Sequence, residues 1–370
     1  MAARRPHHIA GLAALVVVLA AALSVFGTTV SSASPAPAVS GFVGITSQDT
    51  FLGGTTYQDK QFAAMKAAGI TLIRQVFDWK YIEPSRGVFN FTGYDRFVTD
   101  AADYGIQVMP VLYDEPSFLS SRPKHAKNIF NYPPKKMTSI AAFARAAAEY
   151  FGPGGTFWKA NPTVPSEPIQ VWQIWDEPNL NFFWYPHANA KNYVAMLKSA
   201  SQAIHAVDPT AEVVSAGMPQ SSDGVNLYKF VHELLAAGAG KWMNTLAVNA
   251  YSPTASGVIK LITHVRQILN SGGASGVALR VSEIGWSDVG PKSAYRAGVK
   301  GQATKIADVI HDFGIARSTL SLRGFVYYAW KDSRPFKGAK NFWGLHTGLL
   351  KQNGKAKRAL GAFTRAAAAL

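Results

Sequence analysis

The sequence predicts an α/β fold, a single (β/α)8 TIM barrel in which parallel strands and helices alternate. Three observations carry this. Eight short apolar runs recur after residue 40, with helix-like segments between them. The runs are continuous rather than alternating, as strands covered on both faces should be. No linker-like break interrupts the alternation, so residues 39–370 read as one domain. A doubly wound open sheet is the other way to arrange such units, but eight evenly paired units favour closure.

In chain order, GFVGIT (41–46) is the first strand and YQDKQFAAMKAAG the helix that follows. TLIRQVF (71–77) and IQVMPVL (106–112) are short, rich in β-branched residues and end at polar residues. SIAAFARAAAEYFG then reads as a helix, ending at a glycine. IQVWQIW (169–175) is the fourth strand, and AKNYVAMLKSASQAIHAV is helical by the spacing of its apolar residues. AEVVSAG (211–217), TLAVNAY (245–251), VALRVSE (277–283) and GFVYYAW (324–330) complete the strands. NLYKFVHELLAAG follows the fifth strand, and GKAKRALGAFTRAAAAL closes the chain as a helix.

Of the 370 residues 48% are hydrophobic and 16% charged, enough for a large core and too apolar for a disordered chain. No glycine-rich phosphate loop, HExxH or paired Cys/His spacing occurs, and the nine histidines are scattered, so neither a cofactor nor a metal is expected. The N-terminus carries a basic MAARRPHH, an apolar IAGLAALVVVLAAALSVFG and then TTVSSASPAPA. Residues 1–38 thus read as a secretory signal with a small-residue site at Ala36-Pro37-Ala38; an uncleaved anchor is the alternative. The expectation is a secreted or envelope-associated protein without stable membrane insertion after cleavage. It has no cysteine, so its core must supply the stability that disulfides often give exported proteins.

Lys and Arg number 37 against 22 Asp and Glu, a formal net charge of +15, or +13 once Arg4 and Arg5 leave with the signal. Such a balance suits anionic or cell-wall polysaccharide. The cations are spread along the chain without aromatic interleaving, so nucleic acid is not expected as a partner.

On a barrel the C-terminal strand ends form the active face. Strand 2 carries Arg74 and ends in Asp78-Trp79; strand 3 ends in Tyr113-Asp114-Glu115; strand 4 ends in Asp176-Glu177-Pro178-Asn179. Strand 6 ends in Asn249-Ala250-Tyr251, strand 7 in Glu283 and strand 8 in Trp330. Carboxylates, an arginine and aromatic rings converging on one face describe a sugar site. Strands 4 and 7 lie across the mouth from one another, so Glu177 and Glu283 are placed to act on one glycosidic bond. One would serve as a protonated acid and the other as an ionised carboxylate. Trp79, Tyr113, Trp184, His187 and Trp343 are candidate subsite residues. Glu83 reads as a structural cap, and Asp114 and Glu115 as candidate hydroxyl contacts.

WQIWDEPNL on strand 4 and VSEIGWSD on strand 7 resemble the acid/base and nucleophile motifs of the retaining clan A glycoside hydrolases, the 4/7 barrels. The stretch IRQVFDWKYIEPSRGVFNFTGYDRFVTDAADYGIQVMPVLYDEP (73–116) is similar to families 39, 42 and 5, with the family 39-like group the nearest. The resemblance runs from residue 41 to the end of the chain. It implies Glu177 as general acid/base and Glu283 as nucleophile. Arg74 and Tyr251 would bond to Glu283, and Trp330 would floor the sugar site. Asp176 stands where the family usually has Asn, and Asn249 where it often has His, so the sugar contacts differ from the family pattern.

The expected function is a secreted, monomeric, metal-independent retaining β-glycosidase with a carbohydrate substrate. A transglycosylase using the same residues and a non-catalytic carbohydrate-binding wall protein are the alternatives. The second would be expected to lack one glutamate, and both are present.

Overall fold

A computed structural model describes residues 41–335 and 340–370; the segment read as a signal or anchor lies outside them. The strands are β1 (Val43–Thr46), β2 (Leu72–Asp78), β3 (Gln107–Tyr113), β4 (Val171–Ile174), β5 (Glu212–Val214), β6 (Thr245–Asn249), β7 (Ala278–Ile284) and β8 (Leu322–Tyr328). All pair in parallel with their sequence neighbours. β8 pairs with β1, and Val214 of β5 pairs with Thr245 of β6, so the sheet closes on itself. The helices that follow each strand are α1 (Thr55–Ala67), α2 (Thr92–Asp103), α3 (Ile140–Phe151), α4 (Ala190–His205), α5 (Leu227–Ala236), α6 (Ala255–Ser271), α7 (Gly298–Ala316) and α8 (Arg358–Ala367). This is the (β/α)8 barrel expected from the sequence.

Each helix turns an apolar stripe to the sheet. In α2, Tyr94, Phe97, Val98 and Ala101 are buried at helical spacing. Phe97 meets Phe62 of α1 edge-on, with ring centroids 5.2 Å apart. Burying one such ring contributes roughly 1.5–3 kcal/mol, and the outer core repeats this around the barrel. The barrel interior is separate and smaller: Leu72, Met109, Val214, Ala247 and Val326 form an apolar layer within it. Among the described residues, no helix is long and apolar enough to cross a membrane.

Two strands are shorter than their apolar runs, for local reasons. The run at 211–217 pairs regularly only over Glu212–Val214. There the Ser215 hydroxyl accepts from the Ala247 amide at 2.9 Å, replacing a backbone partner, and pairing resumes at Met218–Pro219. The run at 169–175 ends at Ile174 because Trp175 takes a left-handed backbone conformation, φ 69°.

Candidate active site

Side chains two apart on a strand share a face. Arg74 therefore stands directly above Leu72 of the interior layer, inside the barrel at its mouth. An unpaired cation there would be costly. Its guanidinium is matched on three sides: Nε donates to Gln173 Oε1 at 2.8 Å, Nη1 to Glu283 Oε1 at 2.6 Å and Nη2 to Asp176 Oδ1 at 2.8 Å. Tyr251 donates its hydroxyl to the other Glu283 oxygen at 2.8 Å. One carboxylate thus receives a cation and a hydroxyl, and the two charge-assisted bonds fix both of its oxygens.

Glu177 is held differently. Its backbone is left-handed, φ 43°, and its amide donates to the Gly217 carbonyl at 3.0 Å. Two left-handed residues, Trp175 and Glu177, aim this strand end, and strain of this kind concentrates at functional sites. Asn249 Nδ2 donates to Glu177 Oε1 at 2.7 Å, and Asn249 Oδ1 accepts from Ser282 Oγ at 2.8 Å. The β6–β7 register slips by one residue between Val248 and Asn249, setting Asn249 beside Glu283. The slip re-aims both strand ends at the mouth, as bulges commonly do. Asn179 answers a different need: its amide spans to the carbonyls of Pro219 and Val225, tying the strand-4 loop to the strand-5 loop.

Burial sets the protonation of this cluster. It pushes Glu177 well above the usual carboxylate range, and the neighbouring Asp176 and Glu283 charges push further, against the Asn249 bond and Arg74. Asp176 is pushed up to about 7 by burial, with Glu283 adding and Arg74 opposing. The site therefore combines a Glu177 that holds its proton more tightly than an ordinary carboxyl with a Glu283 bonded by Arg74 and Tyr251.

Replacing Asp176 by Asn tests this balance. The charge that raises Glu177 is removed, so the alkaline limb of the pH–rate profile should move to lower pH, reporting the coupled cluster. Stability gives a second readout. A carboxyl raised from 3.8 to about 7 binds its proton more tightly in the folded state. Its contribution is complete below the unfolded value and is lost as pH rises through about 7, up to about 4 kcal/mol. Chemical denaturation of D176N should lose less stability between acid and neutral pH than wild type. An unchanged profile and an unchanged pH slope would make Asp176 merely structural.

Gly217 is required by close approach. A β-carbon there would collide with Asn249 Oδ1 and Ser282 Oγ. Gly217→Ala should displace Asn249 from Glu177 and lower kcat about 10- to 100-fold, while the pair between Arg74 and Glu283 persists. Full activity in G217A would show that the Asn249 bond does not position the acid.

The structure brings Arg74, Asp176, Glu177, Asn249, Tyr251 and Glu283 together, and it moves two expected residues out. Trp79 does not reach the site: it is fully buried, stacks on Phe143 of α3 at 5.2 Å and donates to Glu83. The short helical turn Trp79–Ile82 directs its ring into the outer core. Trp330 does not floor the site either. It is fully buried, and its indole N–H donates to Gln61 Oε1 of α1 at 2.8 Å. The strand-8 ring beside the carboxylates is Tyr328, raised to about 12 by burial and by the Glu283 charge. β8 ends at Tyr328, so the last in-register ring, not the one two residues later, faces the mouth.

Trp184 is also in the core, against Trp175 and Tyr193. His187 is exposed. Trp343 packs on Tyr295 at 4.5 Å and edge-on to Tyr251 at 5.2 Å, forming a wall beside Glu283. Tyr113 packs edge-on to Trp175, and its buried hydroxyl has no partner among the described residues. Glu83 caps its loop, accepting from the Gly87 amide at 2.8 Å. Asp114 pairs with Lys80, and Glu115 is buried. Gln173, Gly217, Ser282 and Tyr328 belong to the site but were not singled out in the sequence. The signal for Gln173 was an amide inside an apolar strand.

A family model described as beta-galactosidase, of glycoside hydrolase family 42, matches residues 54–111. That stretch includes Arg74 and neither glutamate. A comparison with curated proteins gives no match. Among solved structures the chain is similar to a family 39 glycoside hydrolase from Bacteroides cellulosilyticus WH2, with TM-score 0.61 and 17% identity over 88% of this chain and 63% of that one. It is similar to a monomeric beta-xylosidase from Caulobacter crescentus CB15, with TM-score 0.67 and 17% identity over 89% and 68%. An intracellular xylanase from Thermoanaerobacterium saccharolyticum JW/SL-YS485 gives TM-score 0.55 and 15% identity over 87% and 95% or 94% in two structures. The chain thus spans about two thirds of the first two proteins' length. At such identity the shared property is the barrel, and it agrees with the clan A resemblance carried by the two strand-end motifs.

Proposed function

We propose that the protein is a retaining glycoside hydrolase acting on β-linked sugars, with Glu177 as general acid/base and Glu283 as nucleophile. The observation that carries this is the opposite treatment of two facing carboxyls. Glu283 is bonded by Arg74 and Tyr251, while Glu177 is buried beside two other acids. In the first step Glu177 gives its proton to the glycosidic oxygen as the bond to the anomeric carbon breaks. Glu283 attacks that carbon and forms an ester. In the second step Glu177 takes a proton from water, the water oxygen bonds to the anomeric carbon, and the Glu283 carboxylate leaves.

The similarity to beta-xylosidase and xylanase structures supports a β-glycosidase reading of this site. Export by the N-terminal segment belongs to the same proposal, supported by its basic start, apolar run and small-residue site.

A panel of aryl β-glycosides tests the reading, with the first-formed product anomer followed by NMR. Release of the β-anomer is expected. Release of the α-anomer would overturn the double displacement, and no release from any β-glycoside would overturn the enzyme assignment.

A further inference from the structure

Although the 37 cations are spread along the chain, one loop of the active face carries five of them with no acid between. Between Glu115 and Glu149 there is no acid, and the loop that follows β3 carries Arg122, Lys124, Lys127, Lys135 and Lys136. This loop forms one wall of a groove of about 670 Å³ whose lining includes Lys80, Asp114, Glu115, Arg122, Lys124 and Phe130. The groove adjoins the catalytic centre: Asp114 follows Tyr113, whose ring packs on Trp175, two residues before Glu177.

The charge of the lining is positive. Lys80 is paired with Asp114. Burial raises Glu115 to about 8, so it is neutral near pH 7. Arg122 donates to the carbonyls of Phe130, Ala126 and Asn128, which position it without neutralising it. Lys124 is exposed. The groove also has an apolar wall that suits a sugar face: Phe130 stacks on Tyr185 at 4.9 Å, and Arg122 lies over the Tyr132 ring at 5.3 Å.

We infer that this groove is a subsite for a sugar chain bearing anionic groups, carboxylate or phosphate, held by Lys124 and Arg122 as the chain runs toward Glu177 and Glu283. This rests on the glycosidase reading for its orientation, but the binding it asserts is measured separately. Net charge alone would draw polyanions anywhere on the surface. The groove adds a fixed place, where cations lie beside an aromatic face at the end of the barrel that carries the glutamates.

The test is calorimetric titration of wild type, Lys124→Glu and Lys300→Glu at one fixed ionic strength. Lys300 lies exposed on α7, outside the groove. The probes are β-1,4-linked tetramannuronate, its methyl ester and a phosphorylated cellotetraose. Wild type should bind an anionic probe at least about tenfold more tightly than the ester, and K124E should lose about tenfold while K300E does not. Tetramannuronate or the phosphorylated cellotetraose as the tighter ligand identifies the anion as carboxylate or phosphate; either result supports the subsite. Equal binding of acid and ester overturns it. Equal losses in K124E and K300E also overturn it, because non-specific attraction then accounts for the binding. Aryl β-glycoside hydrolysis, assayed on the same preparations, should be unchanged in K300E. Its absence from wild type would sink the glycosidase reading while the titrations still decide the groove.

Discussion

Glu283→Ala should lower turnover of aryl β-glycosides by about four orders of magnitude, on the order of 5 kcal/mol of transition-state stabilisation. The reason is chemical. Without the carboxylate no ester forms, and Arg74 and Tyr251 are left facing a gap where both Glu283 oxygens had accepted their hydrogen bonds. Azide should restore part of the rate with an activated aryl glycoside and yield an α-glycosyl azide, because a small anion can enter that gap and attack from the same side. A fluorinated substrate should label wild type at Glu283, and peptide mass analysis would locate the label. Wild-type-like turnover in the variant, or a label on another residue, would remove Glu283 from the role.

Arg74→Met is expected to have the next largest effect, on both rate and stability. The guanidinium lies between Asp176 and Glu283 at 2.8 and 2.6 Å, and both pairs are largely buried. Removing one partner of a buried pair costs about 3–5 kcal/mol, because a buried charge is left uncompensated. The remaining carboxyls respond by holding protons, so Glu283 becomes a weaker nucleophile. kcat should fall about 100-fold or more, and the acid limb of the pH–rate profile should move to higher pH.

The sign for stability follows from the same shift. Asp176, raised further above its unfolded value, contributes stability that is present at low pH and lost as pH rises. The gap between wild type and R74M in chemical denaturation should therefore be small near pH 4 and widen above about pH 7, through which Asp176 titrates in wild type. An acid limb unchanged from wild type would mean that Arg74 does not govern Glu283.

The barrel was legible because strand and helix periodicities differ and each recurs eight times. The cluster at the mouth was legible in outline because strand ends map to one face. Arg74 above Leu72 follows from period two, and Glu177 and Glu283 from the ends of strands 4 and 7. Trp79 and Trp330 show the limit of that rule. A residue at or just past a strand end points into the site or into the outer core according to the turn that follows, and tryptophan suits either place. Tyr328 rather than Trp330 faces the acids because pairing stops at Tyr328. Gly217 and Ser282 were beyond reach for a related reason: each is ordinary in its own run, and its purpose lies in Asn249, on another strand.

The sequence by itself determined the alternation of eight strands and helices, the face that carries the carboxylates and the identity of the two facing glutamates. These depend on local period and on the fixed handedness of parallel connections, which nearest neighbours along the chain express. Tertiary structure alone decided which oxygen meets which donor. Arg74 divides between two acids, Asn249 holds Glu177, and the basic loop after β3 folds against Lys80 to make a groove. Those outcomes depend on distances between residues 99 to 209 positions apart for Arg74 and 72 for Asn249, set by barrel closure, one register slip and two left-handed residues. Hydrogen bonding and burial change within an ångström, and no pattern along a chain specifies position that finely.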